Sequence, residues 1–220
     1  MVGRRLHRGG YARKMTRSID IHPQDPQPRA VRQVVDMLVD DDALIAYPTD
    51  SCYALGARLD SPTAADRIRQ IRRLGDRHHF TIMCADFAQL GRYVLLDNAA
   101  FRAIKAATPG PYTFILTATK DVPRRLAQRR RTVGVRIPDH RVAVALVREL
   151  GMPLLTSTLL LPGEDEPMTE GWQIADALDH RIDAVVDAGE CGAEPTTVVD
   201  WSTGYPDVVR VGAGDPDRFG

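Results

Sequence analysis

Hydrophobic positions along the chain follow two periods. Val31, Val34, Val35, Leu38 and Val39 recur at i, i+3, i+4, i+7 and i+8, the stripe of a helix that buries one face. Pro26 opens that helix near its first turn, where proline is favoured, and Asp40-Asp41-Asp42 ends it. Residues 43–47 read as a buried strand stopped by Pro48, and Ser61 with Pro62 behind it predicts a second helix as far as Arg73. Residues 80–84 read as a strand, 97–107 as a helix closed by Pro109-Gly110, and 112–117 as a strand of β-branched and aromatic residues. A basic connector over 118–132 leads to a strand at 133–137. A helix at 141–150 follows, with Ala143, Leu146, Val147 and Leu150 on one face and Gly151 as its stop. Residues 153–156 predict a strand, and Ile174, Ala177 and Leu178 mark a helix. Short strands at 184–186, 196–199 and 208–211 complete the chain. Helices and strands interleave throughout, which predicts one three-layer α/β domain around a mixed parallel and antiparallel sheet, spanning 18–220.

Composition agrees with a globular domain. Hydrophobic residues make up 44% and charged residues 26% of 220, enough for one core without staples. Three widely spaced cysteines, Cys52, Cys84 and Cys191, argue against a disulfide framework or a paired-cysteine zinc site and fit a reducing, cytoplasmic setting. No apolar run has the length of a membrane helix, and the basic first residues lack the apolar segment of a secretory leader. Lys+Arg and Asp+Glu both number 29, so the formal net charge is zero and a generic polycation is excluded. That neutrality is an average. Residues 1–14 hold five cations and no acid, so residues 15–220 carry five more acids than cations. Residues 1–17 read as a disordered basic tail or an RNA-binding arm, with Met15 a candidate start.

Five segments carry candidate chemistry. Residues 47–56, Tyr-Pro-Thr-Asp-Ser-Cys-Tyr-Ala-Leu-Gly, gather hydroxyls and a carboxylate as the chain leaves a strand, which suits a ligand loop or an ordinary strand-turn-strand. Cys52 has no base partner in sequence and reads as a packing residue. Arg67, Arg69, Arg72, Arg73 and Arg77 converge at a helix end or line a solvated face. The adjacent His78-His79 lacks the spacing of a helical metal pair, so no metal site is expected. Lys120, Arg124, Arg125, Arg129, Arg130 and Arg131 form a basic patch opposed only by Asp121, a phosphate-backbone contact or a solvated loop. Thr156-Ser157-Thr158 clusters three hydroxyls. Pro195-Thr196-Thr197-Val198-Val199-Asp200 and Val209-Arg210-Val211-Gly212 complete the set.

In that order these segments resemble the YrdC/YciO-like family, the threonylcarbamoyl-adenylate synthase domain. The resemblance covers roughly residues 19–215. It rests on Tyr-Pro-Thr-Asp-x-x-Tyr-x-Leu-Gly at 47–56, Pro-Gly-Pro-x-Thr-Phe at 109–114 and Val-x-Val-Arg-x-Pro-x-His at 133–140. It rests also on Pro-Leu-Leu-Thr-Ser-Thr at 153–158, Pro-Thr-Thr-Val-Val-Asp at 195–200 and Val-Val-Arg-x-Gly at 208–212. His-Phe-Thr-Ile-Met-Cys at 79–84 and Val-Pro-Arg-Arg-Leu at 122–126 are similar to the YciO branch.

The resemblance implies a twisted sheet with a concave, positively charged face for double-stranded RNA or tRNA. Its implied reaction converts ATP, L-threonine and bicarbonate into threonylcarbamoyl-AMP and pyrophosphate. A threonylcarbamoyl transferase would then act on tRNA. Carried over by position, Thr49, Tyr53, Thr113 and Arg136 would hold threonine, while Arg72, Thr158, Thr197 and Arg210 would contact nucleotide. Thr49, Arg72 and Thr158 stand closest to the chemistry, and Mg²⁺ would arrive with ATP, with no permanent cofactor. Where the synthases carry Lys-x-Arg and Ser-x-Asn, this chain has Arg72-x-Leu74 and Thr158-x-Leu160, which removes two phosphate-facing polar groups. The alternative expectation is therefore an RNA-binding protein with a degenerate pocket.

Overall fold

The computed structural model describes residues 15–75, 78, 80–126 and 131–219. Its strands are β1 (Arg17–Asp20), β2 (Ile45–Tyr47), β3 (Ala54–Arg58), β4 (Thr81–Met83), β5 (Tyr112–Thr117), β6 (Thr132–Arg136), β7 (Leu154–Thr158), β8 (Ala184–Asp187), β9 (Thr197–Asp200) and β10 (Asp207–Arg210). Its helices are α1 (Pro28–Asp40), α2 (Ala64–Arg72), α3 (Phe87–Tyr93), α4 (Asn98–Ala107), α5 (Arg141–Leu150) and α6 (Gly171–Ala177). All ten strands form one mixed sheet in the order β1-β8-β2-β3-β7-β4-β6-β5-β9-β10. β8 runs parallel to β1 and β2, β4 parallel to β6, and β5 parallel to β9. Among the described residues, no helix is long and apolar enough to cross a membrane.

Strand alternation sends side chains into two cores. The first holds Leu55, Ile82, Phe114, Val135 and Leu155 under α2, α3, α4 and α6. The second holds Ile45, Tyr47, Met83 and Leu154 under α1 and α5. A ten-stranded sheet is roughly 45 Å wide at about 4.8 Å per strand, whereas two helices cover roughly 20 Å. α1 and α5 pack on one another over the β1 side. Among the described residues no helix covers the same face of β5, β6 and β9, where Thr113, Ile115 and Val198 point and Gly134 lies bare.

Several elements differ from the sequence expectation. α1 begins at Pro28 rather than Pro26, and Val39 is exposed while Met37 takes its place in the core. α2 begins at Ala64. Its N-cap is Thr63 rather than Ser61, although Ser61 Oγ accepts the Ala64 N–H at 3.0 Å from the turn before it, and Arg73 ends the helix in the left-handed region with φ 51°. Three elements have no counterpart in the sequence pattern. β1 starts at Arg17, inside the expected tail, and Thr16 is tied to Asp179 and Ile182. β3, Ala-Leu-Gly-Ala-Arg, is buried on both faces and shows no alternation. α3 has seven residues and buries only Leu90. The rest of the expected tail, residues 1–14, lies outside the described residues.

Candidate functional site

A cavity of ≈ 330 Å³ occupies the uncovered part of the sheet. Its floor is Gly134 with Thr81 and Thr113. A Cβ on Gly134 would stand 2.6 Å from Thr81 Oγ1 and 3.3 Å from Thr113 Cγ2, so glycine keeps the floor open. Ser157, Thr158 and Leu160 come from the end of β7 and beyond. Thr196 comes from just before β9 and Val198 from within it, Arg210 from β10, and Arg72 reaches in from the last turn of α2.

Both guanidiniums are held by neutral oxygens. Arg72 Nη1 donates to Ser157 Oγ at 2.6 Å and its Nε to the Leu160 carbonyl at 3.3 Å. Arg210 Nη2 donates to the Thr196 carbonyl at 2.7 Å and to Thr196 Oγ1 at 3.1 Å. Thr196 Oγ1 is also 2.8 Å from Thr113 Oγ1. No Asp or Glu lines the cavity, and neither arginine has a carboxylate partner among the described residues. Burial pulls Arg72 down to about 10, and the charge of Arg210 pulls the same way. Burial likewise lowers Arg210, with Arg136 adding repulsion. Thr158 makes no side-chain hydrogen bond to the described residues and lines the same space. Two guanidiniums among hydroxyls, with no carboxylate partner among the described residues, have the chemistry to accept a phosphate-bearing anion.

Beside it lies the loop between β2 and β3. Thr49 Oγ1 donates to the Cys52 carbonyl at 2.6 Å and accepts the Ser51 and Cys52 N–H groups at 3.2 and 3.3 Å, closing a tight turn. Tyr53 OH donates to the Gly189 carbonyl at 3.1 Å, with its ring in the first core. Asp50 Oδ1 meets Arg136 Nη2 at 2.6 Å, with the two side chains 10% and 7% exposed. Asp50 Oδ2 and Arg136 Nε are buried without a partner. His140 stands near the pair. Burial lowers its pKa, and the Asp50 charge offsets part of that. Burial raises the Cys52 thiol against the pull of Arg136, Arg210 and Arg72, so it is a neutral packing thiol. Cys191 donates to the Thr49 carbonyl at 3.1 Å and is raised to about 11, also by burial.

The cavity thus gathers Arg72, Thr113, Thr158 and Arg210, while Thr49 and Tyr53 belong to the neighbouring loop and Arg136, at the end of β6, pairs with that loop's Asp50. Thr197 reaches neither. Its hydroxyl donates to the Gly214 carbonyl and accepts the Gly212 N–H at 2.9 Å, on the other side of the strand. Thr196 faces the cavity instead, one register away, a difference that residue type alone does not carry. Asp50, Ser157 and Gly134 have no individual role in the sequence pattern. Asp50 stood within the Tyr-Pro-Thr-Asp motif, and Ser157 stood in the middle of the three hydroxyls.

The arginines of α2 do not converge. Arg67 pairs with Asp183 at 2.8 Å, Arg69 pairs with Asp66 at 2.9 Å, and only Arg72 enters the cavity. Arg77 and His79 lie outside the described residues. Leu74 packs against the first core, whereas Leu160 forms part of the cavity wall. In the connector, Lys120 and Arg124 are exposed. Arg125 donates to the Ser61 carbonyl at 2.6 Å, and Arg131 to the Thr119 carbonyl at 3.2 Å. Arg129 and Arg130 lie outside the described residues. Val122 and Leu126 anchor the connector in the first core, on the four-helix side of the sheet.

Comparison with known proteins extends this picture. The family model Sua5_yciO_yrdC, described as telomere recombination, matches residues 37–212. The uncharacterized protein YciO of Escherichia coli K12 is 45% identical over 206 residues, which span 93% of this chain and 100% of that protein. An uncharacterized protein of Haemophilus influenzae is 44% identical over 207 residues, with the same coverage of both chains. The crystal structure of E. coli YciO superposes with a TM-score of 0.90 over 93% of this chain and 100% of that one. The crystal structure of P. abyssi Sua5 complexed with L-threonine superposes at 0.80 with 26% identity, covering 90% of this chain and 58% of that chain.

Proposed function

Because the chain belongs to the Sua5/YciO/YrdC family, we propose that it makes threonylcarbamoyl-AMP and pyrophosphate from ATP, L-threonine and bicarbonate, in support of tRNA modification. The observation that carries this reading is the pair of guanidiniums, Arg72 and Arg210, in one cavity with the Thr158 hydroxyl; among the described residues neither arginine has a carboxylate partner and Thr158 has no side-chain hydrogen-bond partner. These groups suit the triphosphate. The buried Asp50–Arg136 pair beside it has one orphaned acceptor and one orphaned donor, complementary to the amine and carboxylate of an amino acid. A relative crystallised with L-threonine supports the same assignment.

The chemistry needs little from the protein beyond placement. The threonine amine attacks bicarbonate carbon and water leaves, giving a carbamate. A carbamate oxygen then attacks the α-phosphorus, and the bond from that phosphorus to the bridging oxygen breaks to release pyrophosphate. Arg72 and Arg210 offset charge on the phosphates, Arg136 and Asp50 orient the amino acid, and Thr49 holds the loop that carries Asp50. Among the described residues the cavity wall offers no carboxylate to a metal, so Mg²⁺ would be held by phosphates and water.

Leu160 in the wall and Leu74 turned to the core favour a second reading, an RNA-binding protein with little synthase activity. Exposed Lys120 and Arg124 would then meet phosphates. Threonine-dependent pyrophosphate release separates the two. The synthase reading expects release that depends on all three substrates and falls at least tenfold in Arg72→Ala. Saturable ATP binding with no release at any threonine concentration refutes it.

A further inference from the structure

A second crevice follows from the topology. β4 and β6 are adjacent and parallel. The chain leaving β4 passes to α3 and α4, whose Leu90, Ala100 and Ile104 lie in the first core. The chain leaving β6 passes to α5, whose Val142, Leu146 and Val147 lie in the second. Neighbouring parallel strands whose helices go to opposite faces leave a gap beyond their carboxyl ends, and open α/β sheets bind ligands in such gaps. Here the gap is ≈ 600 Å³, between Ala85–Phe87 after β4 and Ile137–His140 after β6. It shares no lining residue with the Arg72–Arg210 cavity.

Its surface is divided by chemistry. Ala85, Ile137 and Pro138 are buried beneath it, and Phe87, Val144 and Ala145 are half-buried around it. Lys105, Arg141 and Arg148 stand exposed on the rim. None of the three has a carboxylate partner among the described residues. Lys105 lies 5.5 Å from the Phe101 ring, Arg141 donates to the Gln24 carbonyl at 2.7 Å, and the Arg148 guanidinium makes no hydrogen bond to the described residues. Asp86 and Asp139 add acceptors, although Asp86 Oδ1 already caps α3 at Gln89 N–H. An apolar slot with an aromatic ring, a surplus of cations and two carboxylates matches a flat base, a phosphate and ribose hydroxyls. The volume lies within the ordinary range of small-molecule sites.

We infer that this crevice is a second ligand site, for a nucleoside monophosphate. The assignment does not rest on the synthase reading. The test uses Arg72→Ala/Arg210→Ala protein, so that the first cavity no longer competes, and titrates AMP by calorimetry and amide chemical shifts. AMP is expected to bind and to shift amides of residues 85–87 and 137–141. Adding Arg148→Ala or Lys105→Ala is expected to weaken it about tenfold or more, because each removes a charge-assisted contact. Both rim residues are exposed, so an unchanged melting temperature verifies folding. Inorganic phosphate alone is expected to bind more weakly at the same residues, and adenosine to lose the dependence on Arg148. The inference is overturned if AMP fails to bind the double variant at millimolar concentration. It is equally overturned if AMP binds there with no sensitivity to Arg148→Ala or Lys105→Ala.

Discussion

Replacing Asp50 with alanine removes the counter-charge of a guanidinium that has no other ionic partner among the described residues. The Asp50–Arg136 contact is 2.6 Å long, both side chains are nine-tenths or more buried, and Arg136 Nε already lacks a partner. Taking one partner from a buried pair leaves an uncompensated charge and costs about 3–5 kcal/mol. An exposed pair such as Arg32–Glu149, with side chains 67% and 38% exposed, contributes about 0–1 kcal/mol. For a domain of this size the Asp50→Ala cost corresponds to a fall of roughly 10 °C in melting temperature. Removing both charges, in Asp50→Ala/Arg136→Met, leaves no stranded ion and should recover most of the loss. Urea unfolding of the two single variants, the double variant and Arg32→Ala measures the coupling directly. Asp50→Ala behaving like Arg32→Ala, or a double variant no more stable than Asp50→Ala, refutes the reasoning. Threonine affinity is expected to fall in all three variants at this pair, since each loses a group offered to the amino acid.

Other outcomes test neighbouring parts of the site. Leu160→Asn returns an amide to the cavity wall and is expected to raise threonine-dependent pyrophosphate release several-fold; unchanged release would remove Leu160 as a cause of weak activity. Thr196→Val removes one of the oxygens that hold Arg210 and should weaken ATP binding. Thr197→Val breaks the link to Gly212 and Gly214 and should lower the melting temperature while leaving ATP affinity near normal. His140 accepts the Ala143 N–H at 3.4 Å through its neutral ring, and burial lowers its pKa. Its contribution to stability is therefore complete above the ordinary imidazole value of 6.5 and lost as pH falls through the lowered folded value. Denaturation from pH 7.5 downward should show wild type losing stability relative to His140→Asn, and parallel curves would contradict this role for the ring.

The local sequence determined much of this protein because local physics dominates there. The run 112–117 is a strand as expected, since its β-branched and aromatic residues fit a pleated surface and its alternation separates Phe114 from Thr113. Helix α5 has the expected bounds, with Gly151 in the left-handed region at φ 72° where the helix ends. The motifs that gave the family also located the loop with Thr49 and Asp50, the cavity residues Thr113 and Thr158, and Arg72 and Arg210. What alternation and periodicity could not convey was the outcome of pairing. β3 is buried on both faces, so it shows no period, and α3 is too short for one. Thr196 and Thr197 differ only by a register that β5 imposes on β9. Arg136 was readable as a cation, but only the fold sets it against Asp50, 86 residues away. The open face itself exists because ten strands pair into one sheet and two helices cover only part of one side. That difference in width belongs to the assembled sheet, and no single segment encodes it.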